Sequence, residues 1–347
     1  MIIVIGAGPA GLAAAEAAAR NGSDVALIDS ASRLGGQYWR TPADNFGDQH
    51  ENHFDLATGL KLINSVKAQP NIQVLSGAQI WSASHKDGVS TLRVIYQGSE
   101  KIINTGNLIL ATGAYDRSLP FPGWDIPGVM TPGGVQSLIK GHGVVAGKRV
   151  VVAGSGPFLL PVAAGLVKSG ADVVELLEAN KSWRWASSIL VLLENLSKIK
   201  EGFYYIEAIS KGKVRARFGQ AVVGAYAGEN GELESVDIAK IDRNFKIKKV
   251  RNIKCDVAAI GWGFTADTSL AGALGCKQVV AKDESVVVLI DSKQQTSITG
   301  VFAAGEITGI GGSELSMIEG EIAGKSAAKF VGCAVDISRS DQIIRAK

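Results

Sequence analysis

Gly6, Gly8 and Gly11 stand directly after the apolar run Met1-Ile2-Ile3-Val4-Ile5. In that spacing the first glycine permits a tight turn and the second lets a pyrophosphate approach the backbone. The third lets a helix pack closely on a strand. Pro9 and Ala10 complete the segment Gly6-Ala7-Gly8-Pro9-Ala10-Gly11. A helix opening there offers unpaired N–H groups and a partial positive charge to phosphates. Asp29 follows Gly6 by 23 residues, at the end of the next apolar run. A carboxylate at that place accepts hydrogen bonds from ribose hydroxyls. The chemistry indicated is dinucleotide binding. The competing reading, a bare glycine turn, requires none of the flanking strand, helix and acid.

The elements that position these residues follow from the pattern. A buried parallel strand ends at Ile5, an Ala-rich helix runs from Leu12 to Arg20, and Asn21-Gly22 stops it. A second strand covers Val25 to Ile28. The same grammar returns 148 positions later, counted from Gly6 to Gly154. Gly6, Gly8, Pro9, Gly22, Asp24 and Val25 map onto Gly154, Gly156, Pro157, Gly170, Asp172 and Val173, and Asn107–Gly113 maps onto Cys255–Gly261. We read two copies of one dinucleotide-binding fold. The second copy departs from the pattern. Leu159 stands where the third glycine should be, and Leu177 stands at the counterpart of Asp29, with Glu178 one place later. Gly154, Ser155, Gly156, Pro157 and Glu178 are the candidate residues of this second site. NAD(P), another nucleotide, or no ligand at all remain open for it. Residues 71–106 read as a small antiparallel insert, residues 211–250 read similarly, and Leu119–Gly128 reads as a linker.

Composition narrows the classes. The 347 residues are 46% hydrophobic and 20% charged, enough for two domains with real cores. Three cysteines without a Cys-x-x-Cys pair, and four histidines without a His-x-x-x-His pair, argue against a disulfide scaffold, a local iron–sulfur centre and a metal enzyme. A net charge of +3 does not indicate nucleic acid. The run Lys246–Arg251 reads as a solvated strand edge or turn. The chain has no apolar run of membrane-spanning length and no signal-peptide pattern, so a soluble cytoplasmic protein is expected.

Further residues carry a resemblance. They are Gly6–Gly11, the Gly35-Gly36 pair within Arg33–Arg40, Ala111-Thr112-Gly113, and Val301-Phe302-Ala303-Ala304-Gly305-Glu306. This set resembles the two-dinucleotide-domain flavoproteins. Pro120-Phe121-Pro122-Gly123-Trp124, Pro127–Thr131, Gly309–Leu315 and Glu319-Gly320-x-x-Ala323-Gly324 look like the alpha or A subunits of opine oxidase, D-hydroxyproline or L-proline dehydrogenase, and hydrogen cyanide synthase. The resemblance implies an α/β fold of two Rossmann-like three-layer domains, glutathione-reductase-like, the second inserted in the first. Residues 1–117 and 262–335 would form the FAD-binding domain, 118–261 the second nucleotide domain and 336–347 a tail.

The resemblance further implies FAD contacts from Gly6, Gly8, Pro9, Ala10, Gly11, Asp29, Ser30, Arg33, Gly35, Gly36, Gln37, Ala111, Thr112, Gly113, Gly305, Glu306, Ser313, Glu314 and Leu315. The usual acid after the late glycine is Asp; here it is Glu306, whose longer side chain alters that contact. The helix that follows is expected to point at the isoalloxazine ring. The implied partner is a beta-type flavoprotein subunit that oxidises an amine, with FMN shared at the interface and a small iron–sulfur subunit as a further partner. ATP is implied as an alternative to NAD(P) in the second domain.

Disulfide reductases of this fold need two cysteines near the flavin, and neither the Gly35-Gly36 turn nor the second domain supplies a pair. The Cys-rich extension found in many of these subunits is also not seen here, so a cluster would sit on a partner. Catalytic candidates are few. Glu314 begins the helix expected at the flavin, where its alternative is a first-turn carboxylate stabilising the helix. His53 lies in a polar segment near the glycine pair. His142 reads as a loop residue, and Trp39 as packing or cofactor wall. Two other functions stay open: an NAD(P)H-dependent flavin reductase and a nucleotide-binding scaffold.

Overall fold

A computed structural model describes residues 1–41, 55–181, 196–242 and 246–335. The chain divides into two compact units. The first comprises Met1–Thr41, Asp55–Tyr115 and the chain from Thr265 onward; the second contains Asp116–Phe264.

In the first unit a five-stranded parallel sheet carries Val301–Ala303, Leu108–Leu110, Ile2–Ile5, Val25–Asp29 and Ile72–Ser76 in that spatial order. Its strands Val301–Ala303, Leu108–Leu110 and Ile2–Ile5 are apolar throughout because both faces are covered. Ile2, Val4, Leu27, Ile109 and Phe302 face helices Pro9–Arg20 and Ser313–Phe330. Ile3, Ile5, Ile28, Leu108 and Leu110 pack with Leu92 and Val94 of an antiparallel sheet formed by Gln79–Lys86, Val89–Tyr96 and Ser99–Thr105. Fully burying each Leu or Ile contributes about 1.5–3 kcal/mol. Two boundaries in this unit differ from the sequence reading, and in the second unit Arg215–Phe218 pairs parallel with Asp172–Glu178 instead of joining the antiparallel insert expected over residues 211–250. The first helix starts at Pro9, where proline's missing N–H costs nothing and its φ is already helical. Ile72–Ser76 joins the parallel sheet, because Val74 and Leu75 pack into cores on opposite faces.

The two helices of the first unit cross closely. A Cβ on Gly320 would stand 2.1 Å from the Ala10 carbonyl oxygen, and one on Gly324 2.3 Å from that of Ala14. The Glu319–Gly324 motif is thus in part a close-packing motif.

The second unit repeats the layering. Arg215–Phe218, Asp172–Glu178, Arg149–Gly154, Val257–Gly261 and Val129–Met130 form its parallel sheet. Helices Pro132–His142, Leu159–Lys168 and Leu196–Lys211 and an antiparallel sheet of Gln220–Ala227, Leu233–Ile241 and Ile247–Lys254 accompany it. His142 is exposed at a helix C-terminus, before Gly143 at φ +62°, and is not a loop residue. The basic run lies on the edge strand Ile247–Lys254. Arg251 departs from the solvated reading, because its guanidinium turns in to the buried Glu175.

Candidate nucleotide-binding sites

The first site grows from the turn after Ile2–Ile5. Gly6 has φ +97°, and a Cβ there would stand 2.1 Å from the Ala111 carbonyl oxygen. One on Gly11 would stand 1.7 Å from the Gly6 carbonyl oxygen. These two glycines are required by packing. Gly8 differs: nothing lies within 4 Å of the Cβ position. That open space at the helix N-terminus is what a phosphate requires, so the residues present fit a dinucleotide pyrophosphate.

A second glycine turn closes on the first. Gly35 donates its N–H to the Ala7 carbonyl at 2.8 Å. Gly36, at φ +61°, places its Cβ position 2.8 Å from the Gly8 Cα. Asp29 ties the strand end to the turn: Oδ2 accepts the Ala7 N–H at 2.5 Å and Oδ1 the Ala31 N–H at 2.7 Å. A carboxylate has four lone-pair directions, so acceptor capacity for a ribose remains. Ser30 and Gln37 are exposed and Arg33 half-buried nearby; Gln37 accepts from Arg40 Nη2 at 2.7 Å. Ala111 donates to the Ile5 carbonyl at 2.8 Å, and Thr112 Oγ1 to that of Asp267 at 2.6 Å. Gly113, at φ +77°, has open space on its Cβ side.

The late glycine–acid pair joins this cradle. Gly305, at φ +83°, has its Cβ position 2.7 Å from the Ala10 Cβ, so it sits on the first turn of helix Pro9–Arg20. Glu306 turns towards the next helix. Its Oε1 accepts the N–H groups of Gly312 at 2.8 Å and Gly311 at 3.2 Å, with Ser316 Oγ at 3.4 Å. Glu319, only 3% exposed, accepts the Gly305 N–H at 2.9 Å and Thr308 Oγ1 at 2.8 Å. In the sequence Glu319 falls within a motif but has no evident role of its own. Ser313 and Glu314 open helix Ser313–Phe330, with Glu314 exposed in its first turn, and Leu315 covers Gly311. Trp39 is fully buried, its ring against Gly59, and of its two readings it takes that of packing. His53 lies outside the described residues.

The second site preserves the carboxylate by an irregularity of the sheet. Gly154 repeats the Gly6 packing, with its Cβ position 1.6 Å from the Gly261 carbonyl oxygen, and Gly156 is open. Val150 pairs with Val173 but Val151 with Glu175, a register shift that leaves Val174 as an added residue. Gly154 therefore pairs with Glu178, and Glu178, not Leu177, is the spatial counterpart of Asp29. Its Oε2 accepts the Gly156 N–H at 2.9 Å and its Oε1 the Asn180 N–H at 2.9 Å. Asn180 Nδ2 also reaches Ser155 Oγ at 2.8 Å, a partner that the glycine spacing alone does not reveal.

The bay itself differs from the first. Leu159 is buried, and the helix begins there, two places later than the first copy's offset predicts. Leu159 and Leu160 donate to the carbonyls of Gly156 and Pro157 at 3.3 and 3.1 Å, closing the first turn more tightly. Gly156, Leu159, Glu178, Arg217 and Phe218 line a cleft at this point. Arg217 and Arg251 both pair with Glu175, which is 2% exposed.

All three cysteines are free thiols. Burial, then the charge of Asp256, pushes the Cys255 thiol up to about 12. Burial also raises Cys276. Cys333 is half-buried, its sulfur 3.2 Å from Ser23 Oγ. Among the described residues no helix is long and apolar enough to cross a membrane, and no group of three or more His, Cys, Asp or Glu side chains is placed to hold a metal.

A family model described as pyridine nucleotide-disulphide oxidoreductase matches residues 1–329. The hydrogen cyanide synthase subunit HcnB of Pseudomonas protegens is 31% identical over 337 residues, covering 93% of this chain and 69% of the relative. The A subunit of opine oxidase from Agrobacterium tumefaciens is 30% identical over 339 residues, covering 94% and 65%. Among solved structures, L-proline dehydrogenase from P. horikoshii superposes with a TM-score of 0.70 at 18% identity, covering 99% of this chain and 58% of that one. That likeness shows the two-domain α/β fold. The chain spans less than two thirds of the opine oxidase subunit and of the proline dehydrogenase chain.

Proposed function

The chain belongs to the pyridine nucleotide-disulphide oxidoreductase family, and from that premise we propose that it is the FAD-binding alpha-type subunit of an amino- or imino-acid dehydrogenase or oxidase complex. One observation carries the FAD reading: Gly8, Gly36 and Gly305 converge on the first turn of helix Pro9–Arg20, with Asp29 tied to the same turn. In this reading the backbone at Gly8 and Gly36 receives the pyrophosphate, Asp29 a ribose, and the segment Gly305–Leu315 the remainder of the cofactor. FAD supplies the redox chemistry, and the chain binds, orients and electrostatically tunes it.

The amine-complex reading is supported by the relatives, which are named as subunits of opine oxidase and hydrogen cyanide synthase. It is also supported by the cysteines, since two of the three are buried thiols whose ionisation burial disfavours. Disulfide exchange needs a thiolate. The reading therefore routes electrons to or from a beta-type flavoprotein partner that oxidises the amine, with FMN and an iron–sulfur subunit as further parts of a cytoplasmic complex.

The Glu178–Gly156 pair favours a second reading, an NAD(P)H-dependent flavin reductase, because it retains a ribose acceptor in the second unit. ATP in that place would instead accord with the alpha-subunit reading. Releasing and identifying the flavin of the purified chain tests the first step. One FAD per chain is expected, and a chain that takes up no FAD overturns the assignment.

A further inference from the structure

Resting on the FAD reading above, we propose that Glu306 sets the reduction potential of the bound flavin by placing a negative charge at the N-terminus of helix Ser313–Phe330. This helix has 18 residues, and its N-cap, Gly312, provides no side-chain cap. Its first N–H groups and partial positive end would favour a reduced flavin, which carries its negative charge as an anion. Glu306 lies against that end from within the protein, at the N-cap Gly312 and the residue before it. One carboxylate oxygen accepts both the Gly311 and the Gly312 N–H groups, with the Ser316 hydroxyl at 3.4 Å.

A full negative charge beside a terminus worth about half a positive charge opposes it, and the exposed Glu314 of the first turn adds a second, solvent-screened one. Among the described residues Glu306 makes no ion pair that would cancel it. Glu319 holds the other end of the same segment through Gly305 and Thr308, so the segment cannot readily turn the Glu306 charge away. The shorter Asp usual at this position is expected at the cofactor; the extra methylene carries this carboxylate to the helix instead. The consequence is a flavin poised to pass electrons on rather than to hold them.

The test is the equilibrium between oxidised and reduced FAD in the full chain, measured against a reference dye without oxygen. Glu306→Gln keeps one oxygen to accept from Gly311 and Gly312 and removes the charge, with an amide NH2 in place of the other oxygen. Retained FAD with a tenfold shift towards the reduced form, about 30 mV for a two-electron couple, is expected. An unchanged equilibrium in flavin-loaded Glu306→Gln overturns the proposal, because a merely structural role predicts no shift. Glu321→Gln, which removes a 54%-exposed charge from the same helix, is expected to leave the equilibrium in place.

Should Glu306→Gln lose its fold or its FAD, the unmodified chain decides. Sulfite adds to flavins where the site stabilises negative charge. Millimolar sulfite is expected not to bleach the unmodified chain, and ready bleaching overturns the proposal. A chain that binds no FAD at all fails earlier and separately, at the reading on which this one rests.

Discussion

Glu178 accepts the Gly156 N–H at 2.9 Å across a strand that carries one residue more than its counterpart in the first unit. Asp29, without the added residue, accepts one place earlier in its own turn, from the Ala7 N–H at 2.5 Å. Two different local sequences therefore deliver a carboxylate to the same place beside a glycine turn. The second also draws in Asn180 and, through it, Ser155. Glu178→Ala leaves the Gly156 and Asn180 groups without their acceptor. A stability loss of about 1–3 kcal/mol is expected, read as a lowered midpoint in urea, with FAD content unchanged. Loss of FAD from this variant would contradict the assignment of FAD to the first unit.

The glycines of the first turn differ in what they exclude, and this separates folding from binding. Gly11→Ala drives a methyl into the Gly6 carbonyl oxygen, with a Cβ separation of 1.7 Å. Such overpacking costs about 1–3 kcal/mol. Gly8→Ala meets open space, so the flavin-free chain should melt as before while FAD affinity falls at least tenfold. Thermal melts of the flavin-free proteins and a flavin fluorescence titration check both. Equal FAD affinity in Gly8→Ala would remove the pyrophosphate from this turn.

Glu175 is 2% exposed, and its oxygens take guanidinium groups from Arg217 and Arg251. Removing the Glu175 carboxylate leaves two guanidinium groups that are 42% and 33% exposed and can turn to water. Glu175→Ala should therefore cost about 1–3 kcal/mol, the range for a lost buried acceptor. Glu175→Gln retains hydrogen-bond acceptance and should cost less. Denaturant midpoints of the two variants check the order, and equal midpoints would show that the charge is not what Arg217 and Arg251 require.

Thiol reactivity follows from burial. A thiol pushed up to about 12 is almost wholly protonated at pH 8, and reaction requires the thiolate. The native chain should lose one thiol to iodoacetamide rapidly, at half-buried Cys333, and the denatured chain all three. Rapid native labelling of Cys255 would contradict its placement in the core.

Much of this was legible in the sequence because it depends on local pattern. Gly6, Gly8 and Gly11 between an apolar run and an Ala-rich stretch specify a strand, turn and helix, and the repeat from Gly6 to Gly154 specifies two such folds. What was not legible depends on register and side-chain reach. The added residue at Val174 is invisible beside Val173, yet it moves the counterpart of Asp29 from position 177 to Glu178. The turn of Glu306 towards Gly311 and Gly312, and the hold of Glu319 on Gly305, join positions 5 to 14 residues apart through the start of a helix. Residue type alone does not set those directions. Strand Ile72–Ser76 resembled its antiparallel neighbours because its alternation says which faces are apolar, not which strand it pairs with.

The proposed function stands or falls on whether the FAD of this chain exchanges electrons with an amine-oxidising partner. The most direct measurement is the absorbance of the flavin in the purified chain, without oxygen, after addition of NADH, NADPH, proline or an opine. None of these is expected to bleach the flavin of the chain alone, and proline or the opine is expected to do so when the chain is supplied within its native complex. Prompt bleaching of the isolated chain by NADH or NADPH would contradict this and establish a self-sufficient flavin reductase.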